Sequence, residues 1–233
     1  MTLLTIIQRT CDLIGVARPA TVVTSTDQTV RQLYALANEE GDALASSFNW
    51  QALRSQYTFS TEASAVQSSA LPADLDRLIS NSFFNRTTRR TVIGPITPQQ
   101  WQAIQAQPQL NRVFLAFVER SGQFLVTPTP QTGQTIAYEY ISKNWAISPT
   151  GTPQDQFTAD ADTTYLSERL MILGLRWRYL SSRGLPYAEE MRTYGLQVEQ
   201  VQARDGGNSE LSTTGDDAYI LSPNIPEGGF PGP

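Results

Sequence analysis

The clearest hydrophobic pattern in the chain lies between residues 165 and 201, where apolar residues recur at spacings of three and four. That spacing places them on one side of an α-helix. Gly184 and Pro186 interrupt the pattern, and they suit the end of one helix and the first turn of the next. We therefore predict two helices folded back on each other with their apolar stripes facing inward. The stripes are Leu166, Leu170, Leu173, Trp177 and Leu180, then Tyr187, Met191, Tyr194, Val198 and Val201.

The first of these helices is apolar on more than one side, since Ile172, Leu175 and Tyr179 form a second row beside the leucine stripe. A surface helix of a monomer normally keeps a wide polar face. Arginines spaced by seven residues project between the two rows: Arg169, Arg176 and Arg183. Either these arginines extend along apolar surface into water, or a neighbouring subunit covers the helix and carboxylates pair with them. The second reading predicts a subunit interface at Arg169, Ile172, Leu175, Arg176 and Tyr179. Its candidate partners for Arg176 are Glu39, Glu40, Asp160 and Asp162.

Two more amphipathic helices are predicted before residue 50. The first runs from Leu3 to Ile14. Ser25 or Thr26 can cap the second, which continues to about Phe48.

The middle of the second helix combines small and acidic residues. Ala37 and Gly41 make part of its apolar stripe small, which suits the close approach of another helix. Glu39, Glu40 and Asp42 form either a solvated face or, for one of them, a contact with the arginine row.

The composition changes after Trp50, because residues 57–147 are rich in Thr, Ser, Gln and Pro with short apolar runs. Segments 113–118 and 123–127 flank a turn and predict a hairpin, and segments 78–84 and 135–142 predict further strands. A capping box begins one short helix: Thr97, Pro98 and Gln100. The fold class is therefore α+β. A discontinuous helical bundle of residues 1–50 and 151–204 carries an inserted β-rich domain of residues 51–150.

The last segment, residues 205–233, is rich in Gly, Ser, Pro and acidic residues and predicts an extended tail without a core of its own. Its isolated apolar residues are suited to anchoring on another surface: Tyr219, Ile220, Leu221, Ile225 and Phe230. The tail holds five acidic residues and no Lys or Arg, so residues 1–204 carry 17 acidic and 17 basic groups. A general DNA-binding protein would usually have a basic excess.

Catalytic signals are sparse. The chain has no histidine and one cysteine, Cys11, which removes the commonest general base and the usual zinc sites. It contains no phosphate-binding loop, dinucleotide fingerprint or nucleophile elbow. We expect no cofactor, no signal peptide and no membrane span, since no run of eighteen apolar residues occurs.

Two charged clusters are compatible with other functions, a divalent metal site and a phosphate contact. Asp160 and Asp162 could begin a Ca²⁺ or Mg²⁺ site. We favour capping of the next helix by Asp162 or Thr163, with Asp160 bonding to backbone amides or to Arg169, since a calcium loop needs more ligands. The densest basic cluster could touch phosphate, although a solvated loop fits it better. This cluster is Arg86, Arg89 and Arg90.

Several runs, in order from about residue 3 to residue 200, resemble the head–tail adaptor proteins of short-tailed phages, the tail tubular protein A-like group. The runs are residues 36–41 (LANEEG), 48–53 (FNWQAL), 71–77 (LPADLDR), 94–101 (GPITPQQW), 127–130 (TPTP), 138–142 (YEYIS), 160–162 (DAD), 175–178 (LRWR) and 184–187 (GLPY). These motifs are structural rather than catalytic.

The resemblance implies a helical bundle that carries a β-domain, and no active site. It also implies a virion protein that forms a ring, usually of twelve copies, beneath the portal protein. Such a ring extends the DNA channel without sequence-specific binding and carries the tail nozzle protein and the fibres. In that setting the apolar residues of the tail become the predicted portal contacts.

Two other functions compete with a structural ring protein. One is a cell-wall-degrading tail enzyme that uses Asp74 and Asp76, or Asp160 and Asp162. Carboxylates two residues apart rarely flank a glycoside as hydrolysis requires. The other is a small DNA-binding module that uses the arginine cluster at residues 86–90.

Overall fold

The computed structural model describes residues 1–106 and 114–206. In those residues the chain is α+β, as predicted, with helices at both ends of the sequence and antiparallel sheets between them. The helices are α1 (Leu3–Ile14), α2 (Gln28–Ser47), α3 (Pro98–Ala106), α4 (Glu168–Ser182) and α5 (Ala188–Gly206). No helix within this part of the chain is long and apolar enough to cross a membrane.

The first two helices begin and end where local chemistry favours it. Gly15, with φ of 73°, follows the last residue of α1, as the sequence predicts. The cap of α2 is Asp27, whose carboxylate accepts from the backbone N–H groups of Thr29 at 2.8 Å and Val30 at 3.1 Å. The prediction of Ser25 or Thr26 as the cap was wrong by one or two residues. The carboxylate of Asp27 also interacts favourably with the positive end of the helix.

The turn between α4 and α5 confirms the predicted helical hairpin. Gly184 is left-handed, with φ of 68°. The N–H of Leu185 donates to the carbonyl of Leu180, and the N–H of Gly184 donates to the carbonyl of Ser181, both at 3.0 Å. This pair of bonds is the Schellman motif, which satisfies the last carbonyls of a helix. Pro186 lies two residues before α5 rather than in its first turn.

The strands of the described residues form three antiparallel sheets. The largest contains β1 (Arg54–Ser60), β8 (Thr135–Ser142), β4 (Phe84–Asn85) and β5 (Arg90–Thr91), with β3 (Leu75–Leu78) also paired to β8. The second contains β2 (Val66–Gln67), β7 (Gln123–Thr127) and β6 (Ala116–Arg120). The third contains β10 (Pro153–Gln154), β9 (Ala146–Ile147) and β11 (Thr163–Thr164).

Strand β8 is the centre of the largest sheet and matches its predicted bounds. It pairs with β1 from Thr135 to Ile141, and with β3 and β4 on its other edge. Three alternate residues on one of its faces, Ile136, Tyr138 and Tyr140, are buried in the β-domain core. Ile141 points the other way and joins the helical core. A strand covered on both faces thus connects the two halves of the molecule.

The predicted strand at residues 78–84 was wrong. The chain instead leaves β3 at Leu78, turns through Asn81 with φ of 63°, and re-enters the sheet at Phe84. An asparagine tolerates this left-handed conformation better than most residues. The apolar run therefore belongs to two short strands rather than one.

The other local predictions for the β-domain hold within the described residues. Strands β6 and β7 form the expected hairpin around Ser121 and Gly122, and Val113 lies outside the described residues. The capping box of α3 is present, because Gln100 N–H donates to the Thr97 hydroxyl and Thr97 N–H donates to the Gln100 side chain.

The described residues form two hydrophobic cores. One is built from α1, α2 and α4 with Trp145 and Phe157, and the other from the first and second sheets. The second core is aromatic. The ring centroid of Phe83 lies 4.1 Å from that of Phe117, in a tilted arrangement, and 4.4 Å from that of Tyr138, in a stacked one. Such ring contacts add to the free energy of area burial.

Two side chains join the β-domain to the helical body. Trp145, fully buried, occupies a notch at Gly41 of α2, where an added Cβ would lie 2.2 Å from its ring. Its indole N–H donates to Asp42 at 2.8 Å. Arg77 donates to the carbonyls of Ala45 at 2.9 Å and Phe48 at 3.2 Å at the end of α2. Gly41 therefore makes room for the indole ring of Trp145. The prediction that another helix approaches at this position was wrong.

Candidate assembly surface

Helix α4 contacts three other helices, α1, α2 and α5, and this explains its apolar character on more than one side. Leu175 and Tyr179, predicted at a subunit interface, are buried in the core of the chain itself. Periodicity showed that two rows were apolar but could not show which row faced the chain's own core. The surface part of the predicted interface is therefore Arg169, Ile172 and Arg176.

A buried ion pair joins α2 to α4. Glu40 is fully buried, and its Oε2 lies 2.6 Å from Nε of Arg178, whose side chain is 18% exposed. A second nitrogen of Arg178 lies 2.9 Å from Glu39. Gly174 makes room for the pair, since a Cβ there would lie 2.2 Å from the Glu40 carboxyl. The prediction of a solvated face was therefore wrong for Glu40. Glu40 pairs with Arg178, which does not belong to the predicted row of three arginines.

Burial controls the ionisation of this cluster. Removal from water raises the pKa of Glu40 from its ordinary value, while the nearby Tyr194 hydroxyl and the Arg178 guanidinium act in the opposite direction. Burial, and then the neighbouring Glu40, raise the pKa of Tyr194. Because Tyr194 lies on α5, the cluster connects α2, α4 and α5.

Arg176 pairs with none of its four predicted partners. It donates to Glu190 of α5 at 3.0 Å, and the two side chains are 34% and 23% exposed. Trp177 adds an aromatic contact to the same helix, with ring centroids 6.3 Å from Tyr187 and 6.1 Å from Tyr194. The inward-facing hairpin is therefore held by one ion pair and by aromatic packing.

An open groove of about 690 Å³ lies between α1 and the first half of α4. We call it the α1–α4 groove and define it by Arg9, Leu13, Arg169, Ile172 and Leu173. Leu13 is half exposed. Within residues 1–106 and 114–206, neither Arg9 nor Arg169 contacts a carboxylate. Glu168, also at the groove, pairs with the amino group of Met1. The groove thus combines apolar side chains with two guanidinium groups.

Helix α5 covers one side of α4 but none of its residues is fully buried. Tyr194, Val198 and Val201 pack partly against the helical core, while Met191 and Leu196 are 50% and 49% exposed. A helix normally buries an apolar stripe of this kind more completely. The far side of α5 is therefore a second apolar surface on the helical body.

The acidic loop at residues 157–163 has a structural role. The carboxylate of Asp160 accepts from the backbone N–H groups of Val22 and Val23 at 2.8–3.1 Å. Buried Asp162 accepts from the N–H groups of Thr158 and Ala159 at 2.6 and 2.8 Å. Asp160 thus bonds to backbone amides as favoured, but neither Asp162 nor Thr163 caps a helix, because Ser167 precedes α4. In the described residues no group of three or more metal-binding side chains lies together.

The other candidate catalytic pair and the basic cluster lie on the β-domain. Asp74 accepts from the hydroxyls of Tyr140 at 3.0 Å and Ser142 at 2.6 Å, and the pKa of Tyr140 rises to about 12 through burial and this carboxylate. Asp76 pairs with its neighbour Arg77. The residues of the basic cluster, Arg86, Arg89 and Arg90, are all exposed at the β4–β5 turn.

The five predicted anchors of the tail lie outside the described residues: Tyr219, Ile220, Leu221, Ile225 and Phe230. The described chain ends with α5 beside the start of the β-domain. There the carboxylate of Asp205 accepts from the N–H of Gln51 at 2.8 Å, and the side chain of Gln51 donates to the Asp205 carbonyl.

Comparison with known families identifies the group. The model of the family described as SU10 adaptor protein matches residues 1–224. The chain belongs to the SU10 adaptor protein family. This confirms the phage head–tail adaptor predicted from the motifs, without specifying the tail tubular protein A-like subgroup. No curated protein matches the chain.

Membership of this family supports three general statements. The chain is a phage adaptor and a component of the virion, and its role is structural. An adaptor of this kind interacts with other head and tail components. A structural role agrees with the positions of Asp74, Asp76, Asp160 and Asp162, whose carboxylates all bond within the chain.

Proposed function

We propose that this SU10-family adaptor forms a ring of twelve copies beneath the phage portal, where it extends the DNA channel and carries the tail nozzle and fibres. It acts as a structural protein without catalytic activity and assembles in the host cytoplasm. The family match over residues 1–224 carries this proposal. The two incompletely covered surfaces of the helical body, the α1–α4 groove and the far side of α5, support an assembly role.

Charge supports passage of DNA without retention. Residues 1–204 carry equal numbers of acidic and basic groups. Neutralisation of phosphates by Lys and Arg dominates non-specific affinity for DNA. A ring with a neutral body would therefore let DNA slide through its channel.

Native mass spectrometry of the purified chain mixed with purified portal protein tests the proposal. We expect one added mass that corresponds to a complete ring on each portal, without DNA or other phage proteins. The chain alone serves as a control and is expected to be smaller than the ring, because the portal provides the template. A portal that gains one or two copies, or none, would contradict the proposed function.

The tail gives a separate prediction about attachment. We propose that residues 207–233 bind along the portal, with Tyr219, Ile220, Leu221, Ile225 and Phe230 in apolar pockets. Each such contact is weak on its own, but a ring multiplies it through effective concentration. A chain that ends at Gly206 keeps the bonds of Asp205 to Gln51 and should melt at an unchanged temperature.

Attachment of the shortened chain to portal-containing heads should fall by at least about tenfold, the change for a loss of 1.4 kcal/mol. Cosedimentation with the heads measures this. A matched variant keeps the full length but replaces the five apolar anchors with serine, and it should attach as poorly as the shortened chain. If both attach like the full chain, the helical body carries the portal contact instead.

A further inference from the structure

Helix α5 contains a glycine that no contact within residues 1–106 and 114–206 explains. Apart from proline, glycine is the least favourable residue inside a helix. Gly41 and Gly174 have neighbours that a Cβ would strike, Trp145 and Glu40. Around Gly195, in contrast, an added Cβ would meet nothing within 4 Å. The missing side chain at position 195 therefore serves no packing need among the described residues.

The surroundings of Gly195 have the features of a contact surface. Met191, Gly195 and Glu199 are spaced by four residues and so lie along one line of the helix. Met191 and Leu196, on either side of Gly195, are half exposed. Glu199 is exposed and has no partner within residues 1–106 and 114–206. We call these four residues the outer face of α5: Met191, Gly195, Leu196 and Glu199.

The α1–α4 groove is complementary to this face. The groove combines apolar Leu13, Ile172 and Leu173 with two arginines that lack carboxylate partners among the described residues, and the outer face of α5 places an unpartnered carboxylate beside two exposed apolar side chains. Glycine lets other groups approach a helix backbone closely, as at Gly41 and Gly174 inside the chain. The two surfaces are thus complementary in polarity and charge.

We propose that the outer face of α5 of one copy docks in the α1–α4 groove of the neighbouring copy. Met191 and Leu196 contact Leu13, Ile172 and Leu173, and Glu199 pairs with Arg169. Because the two surfaces differ, the contact is head-to-tail and closes into a ring when the rotation permits. This pairing rests on the proposed function, since it specifies which surfaces meet within the ring.

Gly195→Leu tests the proposal without harming the fold. Leucine favours helix, and its side chain enters open space, so the melting temperature of the free chain should not fall. In the docked pair the larger side chain prevents close approach, so ring formation on portal should drop at least about tenfold, as for a loss of 1.4 kcal/mol at the contact. Thr193→Leu is the matched control. It places the same side chain two positions away, on another side of α5, and should assemble normally.

A charge exchange gives the second test. Arg169→Glu and Glu199→Arg should each weaken ring formation, because each places like charges opposite each other. The two changes together should restore it. The readout is the number of copies per portal by native mass spectrometry, with circular dichroism to confirm folding.

The outcomes separate this pairing from the proposed function. A wild-type chain that makes no ring on portal would overturn both. A wild-type ring together with normal assembly of Gly195→Leu, or with no restoration by the double charge exchange, would overturn the pairing alone.

Discussion

Arg178→Met should lower the free energy of unfolding by about 3–5 kcal/mol, because it leaves the buried carboxylate of Glu40 without its cation. Glu40 is fully buried, and its bond to Arg178 spans only 2.6 Å. Methionine retains much of the side-chain volume, so the loss reports the charge rather than a cavity. Urea unfolding followed by circular dichroism measures the difference.

Arg176→Met is the matched control for this prediction. The Arg176–Glu190 pair is partly exposed, so its removal should cost no more than about 1 kcal/mol. The contrast between two arginines on the same helix isolates the effect of burial. Equal losses for the two variants would show that Glu40 is not held by Arg178 in the way the structure indicates.

Trp145→Ala should lower the free energy of unfolding by a similar amount, about 3–5 kcal/mol, through lost burial and the cavity left behind. The indole is fully buried against Gly41 and lies edge-on to Phe157, 4.8 Å between ring centroids. Thermal and urea unfolding both measure this change. A loss below about 1 kcal/mol would contradict the central position of Trp145 in the helical core.

The notch at Gly41 provides an internal check by a double-mutant cycle. Gly41→Ala in the natural chain should cost about 1–3 kcal/mol, because its Cβ would strike the ring of Trp145. With Trp145→Ala already present, the same change should cost nothing or stabilise, since alanine favours helix. The non-additivity measures the contact itself. Additive losses would mean that the two residues do not pack as described.

Local chemistry allowed much of the fold to be predicted. Helix α1 and strand β8 match their predicted bounds. A cap and a terminal glycine specify the bounds of α1, and an alternating sequence specifies those of β8. The turn at Gly184 and the capping box of α3 also follow from residue type alone. Such signals lie within a few residues of the structure they determine.

Contacts between distant segments could not be predicted in the same way. Glu40 and Arg178 are 138 positions apart in the sequence. Glutamate and arginine are also common on solvated surfaces, so residue type alone does not reveal the pair. Leu175 looked like an interface residue because α4 is apolar on more than one side, but Leu175 is buried in the core of the same chain. Periodicity identifies an apolar row without naming the surface that covers it.

Part of the proposed assembly surface coincides with the residues predicted at an interface, and that interface remains a prediction. Arg169 and Ile172 were expected at an interface, and the structure places both at the α1–α4 groove. Leu13 and Arg9 were not expected there, because only the packing of α1 on α4 brings them to the groove. Gly195 carried a signal that sequence could have shown, a glycine inside a predicted helix without a turn.

We propose that this adaptor forms a ring through its helical body. Cryo-electron microscopy of the complex with portal protein shows directly which surfaces meet. We expect twelve copies around a continuous channel, with α5 of each copy against α1 and α4 of the next. One or two copies at the side of the portal, or a ring whose copies meet only through their β-domains, would contradict it.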